Sequence, residues 1–181
     1  MDHTSLIELA VQCGADKAAV IDVSQIVLSE QFREICKSNG CGNYGRCWMC
    51  PPDVGDIYEL MDKVRSYDKA LVFQTIRQLE DSFDFEGMTE ASFAHAKVSE
   101  ALRVKCDEIF SGDAWTLSCG GCRICETCAK RDGLPCRFPD RALASLESCG
   151  VDVYNTVAPT ELRYINGPDT VTYFGMVLYH A

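Results

Sequence analysis

Cysteine at short, regular intervals is the feature of this chain from which chemistry can be read. From residue 119 it runs Cys119-Gly-Gly-Cys122-Arg-Ile-Cys125-Glu-Thr-Cys128, and Cys136 follows inside Leu-Pro-Cys-Arg-Phe-Pro. A thiolate is a soft metal ligand, and repeated C-x2-C steps let one wrap of backbone present several of them to one compact inorganic core. A more distant cysteine beside a proline can then close the coordination. Bacterial ferredoxins do this with C-x2-C-x2-C-x3-C-P, whose last cysteine serves the other cluster. Zinc competes for the same donors, but a structural zinc site usually takes two separated C-x2-C pairs. Four consecutive cysteines at this spacing leave no turn between pairs, and five within residues 119–136 overfill one ion. The spacing favours an iron–sulfur cluster, with zinc as the alternative.

A second group reads Cys36-x4-Cys41-Gly-Asn-Tyr-Gly-Arg-Cys47-Trp-Met-Cys50-Pro-Pro. The Cys-Pro step again has the form of a ferredoxin loop. Gly42 and Gly45 would let backbone N–H groups approach sulfur, and such hydrogen bonds raise a cluster's potential. A zinc knuckle from Cys36, Cys41, Cys47 and Cys50 is the alternative for this spacing. Arg46, Arg123, Lys130, Arg131 and Arg137 lie in or beside the two loops. They could offset thiolate charge or receive an anion, or be ordinary solvated charges.

The remaining candidates read as structure. Cys13 and Cys106 fall within helical patterns and Cys149 precedes a helix-stopping glycine, so all three are expected in the core. His95 belongs to a long helix, and His3 and His180 lie near the ends, which leaves no His-rich zinc site. Tyr44, Trp48, Tyr154 and Tyr164 read as packing aromatics. No phosphate-binding glycine loop, nucleophile elbow or acid–base pair is present.

These loops need elements to hold them. Leu6, Ile7 and Ala10 mark a helix over 4–13, with Thr4 or Ser5 as cap and Gly14 as stop. The β-branched run 17–27 predicts a strand, and 29–40 a short helix that carries Cys36 into the first loop. Residues 54–67 predict a helix and 69–76 a buried strand. Gly87 marks a loop before a long helix over 89–110, which is scaffold and provides no ligand. Residues 114–118 form a short strand entering the second loop. A helix over 139–150 and strands at 151–157 and 170–179 complete the order. The expected fold is α+β or α/β, a central mixed sheet packed with helices. It forms one domain over 1–181, with cysteine loops at 36–52 and 119–139.

Composition narrows the setting. Twelve cysteines in 181 residues could mean a disulfide scaffold, but those are usually short secreted chains. The opening MDHTSLIELAVQCG is too polar for a signal peptide, and no apolar run suffices for a membrane span. Reduced thiols in the cytoplasm are therefore expected. A net charge of −10 disfavours nucleic acid; it suits docking to a basic patch on a redox partner, and equally plain solubility. Oligomeric state is not written in these features.

Taken together, C-x4-C-x2-Y-G-x4-C-P-P and the later C-G-x-C-x2-C-x2-C-x7-C-R-x-P resemble a family of uncharacterised predicted metal-binding proteins. It is a domain of unknown function from bacteria and archaea, mostly anaerobes. The resemblance implies metal ligation by Cys36, Cys41, Cys50, Cys119, Cys122, Cys125, Cys128 and Cys136, and leaves Cys47 on an open position. It implies no reaction. The family's association with corrinoid-dependent methyl transfer makes electron donation a reasonable extension. Two [4Fe–4S] clusters need eight thiolates, and this set supplies eight only if the loops pool their ligands. Cys36, Cys41 and Cys50 would then take a fourth from Cys128 or Cys136. Two other classes stay open: a zinc-stabilised interaction module, and an enzyme. The enzyme would need a cluster with only three cysteines, or a reactive C-x2-C pair, beside a cleft.

Overall fold

The computed structural model describes residues 2–181. Helix α1 (His3–Gln12) begins at Asp2, whose carboxylate accepts the Ser5 N–H at 2.8 Å. Strand β1 (Lys17–Asp22) stops earlier than its β-branched composition suggests. Residues Val23–Gln25 form a 3-10 turn in which the Gln25 side-chain oxygen accepts the Asp22 N–H at 2.9 Å. Helices α2 (Gln31–Lys37) and α3 (Ile57–Arg65) follow, then strand β2 (Lys69–Gln78).

Helix α4 runs Phe85–Ile109, so it opens one turn before the expected start. Gly87 is the reason, since it permits a helix cap there. Asp84 accepts the Gly87 N–H at 2.8 Å, and a Cβ at residue 87 would sit 2.2 Å from that carboxylate. Strand β3 (Ala114–Ser118) leads into the second cysteine loop.

The segment 139–157 departs most from expectation. Instead of a helix over 139–150, there is a turn at 138–142, a two-residue strand β4 (Ala144–Ser145) and a 3-10 turn over Glu147–Cys149. Leu143, Ala144, Ser145 and Leu146 are buried in succession, enclosed on both sides rather than along one helical stripe. The backbone of β4 pairs with β3 instead of coiling on itself. Where a strand was expected at 151–157, Asp152 caps helix α5 (Val153–Val157) by accepting the Asn155 N–H at 3.1 Å. Only Val151 makes a β-bridge, to Leu28.

Strand β5 (Thr170–Tyr179) completes a five-stranded mixed sheet in the order β1-β2-β5-β3-β4, antiparallel except for the β3–β4 pair. The fold is α+β. Alternation along the strands divides the core. Leu71, Phe73, Val177 and Tyr179 face α1 and α4 through Leu6, Ala10, Leu102 and Cys106. Ala70, Val72, Phe174, Met176 and Leu178 face Val64 and the 144–162 segment. The Phe73 ring lies over its cross-strand partner Gly175, where a Cβ would come within 2.2 Å of the ring. Any side chain at 175 would overpack this face, at about 1–3 kcal/mol. Among the described residues, no helix is long and apolar enough to cross a membrane.

Candidate metal centre

The parallel β3–β4 pair positions the cysteine loops. β3 and β4 register Leu117 with Ala144 and Ser118 with Ser145, so both chains leave the sheet at the same end. One exit delivers Cys119 and Gly120, and the other delivers Glu147. The carboxyl end of parallel strands is where open sheets place ligand crevices. Helix α2 packs against the 147–149 turn and brings Cys36 to that end. Arg33 fixes this contact by donating to the Ser148 carbonyl at 3.3 Å and to the Gly55 carbonyl at 2.9 Å.

Between Cys36 and Pro51 the chain folds tightly on itself. Asn39, Gly42 and Gly45 adopt positive φ (56°, 72° and 66°). The Asn39 side chain accepts the Tyr44 N–H at 3.0 Å, and Gly45 N–H donates to the Pro51 carbonyl at 2.9 Å. These bonds curl Cys36, Cys41 and Cys50 toward one another.

Three contacts lock the two loops together. Trp48 Nε1 donates to the Leu134 carbonyl at 2.9 Å. Lys130 lies 4.1 Å from the Trp48 ring centre and pairs with Asp53 at 2.6 Å, both ends of that pair being three-quarters or more buried (side-chain exposure 23% and 18%). Gly121 abuts the Asn43 amide so closely that a Cβ there would lie 2.9 Å from it.

The thiols fall into two groups. Cys36, Cys41 and Cys50 line a cavity of about 250 Å³, whose wall also includes Gly120, Ser145 and Glu147. Cys47, Cys122, Cys125, Cys128 and Cys136 converge on a small apolar cavity of about 20 Å³ beside Trp48 and Phe138. A further opening of about 60 Å³, shared by four of those five thiols, is lined by Arg46, Arg123 and Arg131. All twelve cysteines are free thiols. Among the described residues, no three His, Cys, Asp or Glu donors are already drawn in to a single ion; the thiols line their cavities without meeting at a point.

The two groups touch through the C-x2-C pair. Cys50, acting as hydrogen-bond donor, pulls the Cys47 thiol well below its ordinary range, and the N–H groups of Met49 and Cys122 add to this. Cys50 is itself driven up, first by that hydrogen bond and then by burial and by the charge of Cys47, Cys41 and Cys36. Cys47 lines the second cavity, while Cys50 lines the first. Burial raises Cys36 and Cys122.

The structure separates the sequence-derived residues at two points. Cys47, left open by the motif, lies among the second-loop thiols. Cys119, expected as a ligand, is turned into a neighbouring cavity of about 400 Å³ with Arg123, Glu147 and Tyr173, where burial raises its thiol far above the usual range. The other expected ligands line the two cavities, Cys36, Cys41 and Cys50 on one and Cys122, Cys125, Cys128 and Cys136 on the other. Neither Cys128 nor Cys136 lines the first-loop cavity.

Cys106 and Cys149 are core residues, each pushed up to about 12 by burial, and Cys13 packs at the edge of the core. His95 is fully buried, 2.9 Å from the Thr75 hydroxyl and stacked on Phe73. Glu147 was not legible as a site residue, because sequence spacing does not show that β4 pairs with β3.

A family model described as "Predicted metal-binding protein (DUF2284)" matches residues 19–179, a span that takes in both cysteine loops. No curated protein and no solved structure matches the chain.

Proposed function

The chain belongs to that family of predicted metal-binding proteins, and from this premise we propose that it holds two adjoining iron–sulfur clusters and transfers electrons to a protein partner. One observation carries the reading: eight thiols line two cavities, and the two groups meet at the Cys47–Cys50 pair. Cys36, Cys41 and Cys50 would hold one group. The other would take four of Cys47, Cys122, Cys125, Cys128 and Cys136. Five thiols on one cavity exceed the four that a zinc ion takes, whereas thiolates are the ordinary ligands of iron–sulfur clusters. When bound, such clusters supply one-electron storage.

The chain's own groups set the conditions for that storage. Backbone N–H groups of Met49, Cys122 and Ile124 donate toward sulfur, stabilise its negative charge and raise the potential at which an electron is accepted. Arg46, Arg123 and Arg131 border the second group and offset thiolate charge. Trp48 and Phe138 cover its other side. The net charge of −10 suits a partner with a basic docking surface. A reducing compartment such as the cytoplasm would keep the thiols free to bind metal.

The test is iron, acid-labile sulfide and zinc content of anaerobically purified protein, with its visible spectrum before and after dithionite. Iron and sulfide in equal amounts, with broad absorbance that bleaches on reduction, is the expected result. Colourless protein with stoichiometric zinc would overturn the reading in favour of a structural zinc module.

A further inference from the structure

The cavity built by the first loop has three thiols, one fewer than a four-ligand site requires. Cys47 faces the second group, and Cys119 opens into the neighbouring cavity. Of the other residues around the first cavity, Glu147 alone carries an anionic donor. We infer that the Glu147 carboxylate is the fourth ligand of the site formed by Cys36, Cys41 and Cys50, which gives that site mixed sulfur and oxygen coordination. The inference rests on the metal-binding reading above and deepens it.

Position is the first argument. Glu147 follows β4, and Leu146 N–H donates to the Ser118 carbonyl at 2.9 Å, so the carboxyl is held beside Gly120 where the second loop departs. Ser148 N–H donates to the Ser145 hydroxyl at 3.0 Å, which fixes the turn from which Glu147 projects. Arg33 ties this turn to α2, the helix carrying Cys36. Two segments distant in sequence, the first loop and the turn after β4, thus aim donors into one cavity.

Charge is the second argument. Among the described residues no lysine, arginine or histidine forms an ion pair with Glu147. The half-buried Glu147 carboxyl receives the Ser145 hydroxyl and the Gly120 N–H, which solvate it without neutralising its charge, and metal coordination would offset that charge. The neutral oxygens of Ser38 and Tyr44 on the same cavity are weaker donors for this purpose. Glu147 also lines the 400 Å³ cavity, so the single oxygen ligand stands on the side of the site open to small molecules.

The experiment compares wild type, Glu147→Ala, Glu147→Gln, Glu147→Cys and Cys119→Ala, all purified anaerobically. Metal content and Mössbauer spectra are recorded, with far-UV circular dichroism to verify folding. In wild type one iron environment should differ from the all-thiolate ones. Loss of that component and a fall in iron are expected in both Glu147→Ala and Glu147→Gln, the latter preserving shape. Glu147→Cys should retain iron and convert the distinct component to an all-thiolate one, and Cys119→Ala should match wild type. Folded Glu147 variants with wild-type iron and spectra, or loss of iron in Cys119→Ala, would overturn the inference while leaving the cluster reading intact. If wild type carries zinc instead of iron, the cluster reading fails. Zinc content of the same variants then decides Glu147: loss in Glu147→Ala supports it and unchanged zinc overturns it. Protein that takes up neither metal overturns both.

Discussion

Cys47 and Cys119 show how far residue spacing alone can carry a ligand assignment. Both sit one C-x2-C step from another cysteine, and the motif favours Cys119 while leaving Cys47 open. The structure divides them differently. Cys47 is turned toward the second-loop thiols by the tight first loop, whereas Cys119 lines the neighbouring cavity at the end of β3. Cys47→Ala should therefore lower metal content, and Cys119→Ala should leave it unchanged, as judged by metal analysis of anaerobic protein. His95 makes a separate point. Its place on a helix was legible, but its complete burial against Phe73 and Thr75 was not. Burial holds its imidazole down to about 4, below the ordinary value of about 6.5. The unfolded chain thus binds a proton that the folded chain refuses. The contribution is fully present above about pH 6.5, and it falls away as pH drops toward 4, at 1.36 kcal/mol per unit, about 3 kcal/mol in all. His95→Leu should flatten the fall in denaturant midpoint between pH 7 and pH 4.5. It should leave metal content at the wild-type level, since His95 lines neither thiol cavity.

At the scale of elements, the two strands joined most tightly, β2 and β5, were legible because each carries a long β-branched or aromatic run. The helices α1, α3 and α4 were legible from their apolar spacing. The 139–157 segment was not, because its structure is imposed from outside. β4 is a strand only because β3 offers its edge, and α5 forms because Asp152 caps it against the β-propensity of its valines. This is also the segment that presents Glu147, so the missed element and the missed residue have one cause. The clamp between the loops is equally tertiary. Lys130 reaches from the 3-10 turn Ala129–Asp132 to Asp53, just beyond Pro51-Pro52, and roofs Trp48 on the way. Lys130→Met would leave Asp53 charged and partly enclosed. It should destabilise the chain by about 2 kcal/mol and weaken metal retention against a chelator, measured as a lower denaturant midpoint and faster release.

Across the whole molecule, the sheet order β1-β2-β5-β3-β4 places the last strand in chain order at the centre. Remove it, and what remains is two separate pairs, β1 with β2 and β3 with β4. The first cysteine loop belongs to the chain between β1 and β2, and the second to the chain between β3 and β4. During synthesis on the ribosome, then, both sets of thiols emerge before the strand that joins the two strand pairs into one sheet. A nascent chain halted before residue 170 should remain protease-sensitive and retain little metal, whereas one extended past residue 179 and clear of the exit tunnel should resist and retain it. Pulse-proteolysis of stalled chains, with metal analysis of each length, measures both. Only between the emergence of Cys149 and that of Tyr179 are all twelve thiols out while the central strand is still missing, and metal loading is expected to wait for that strand.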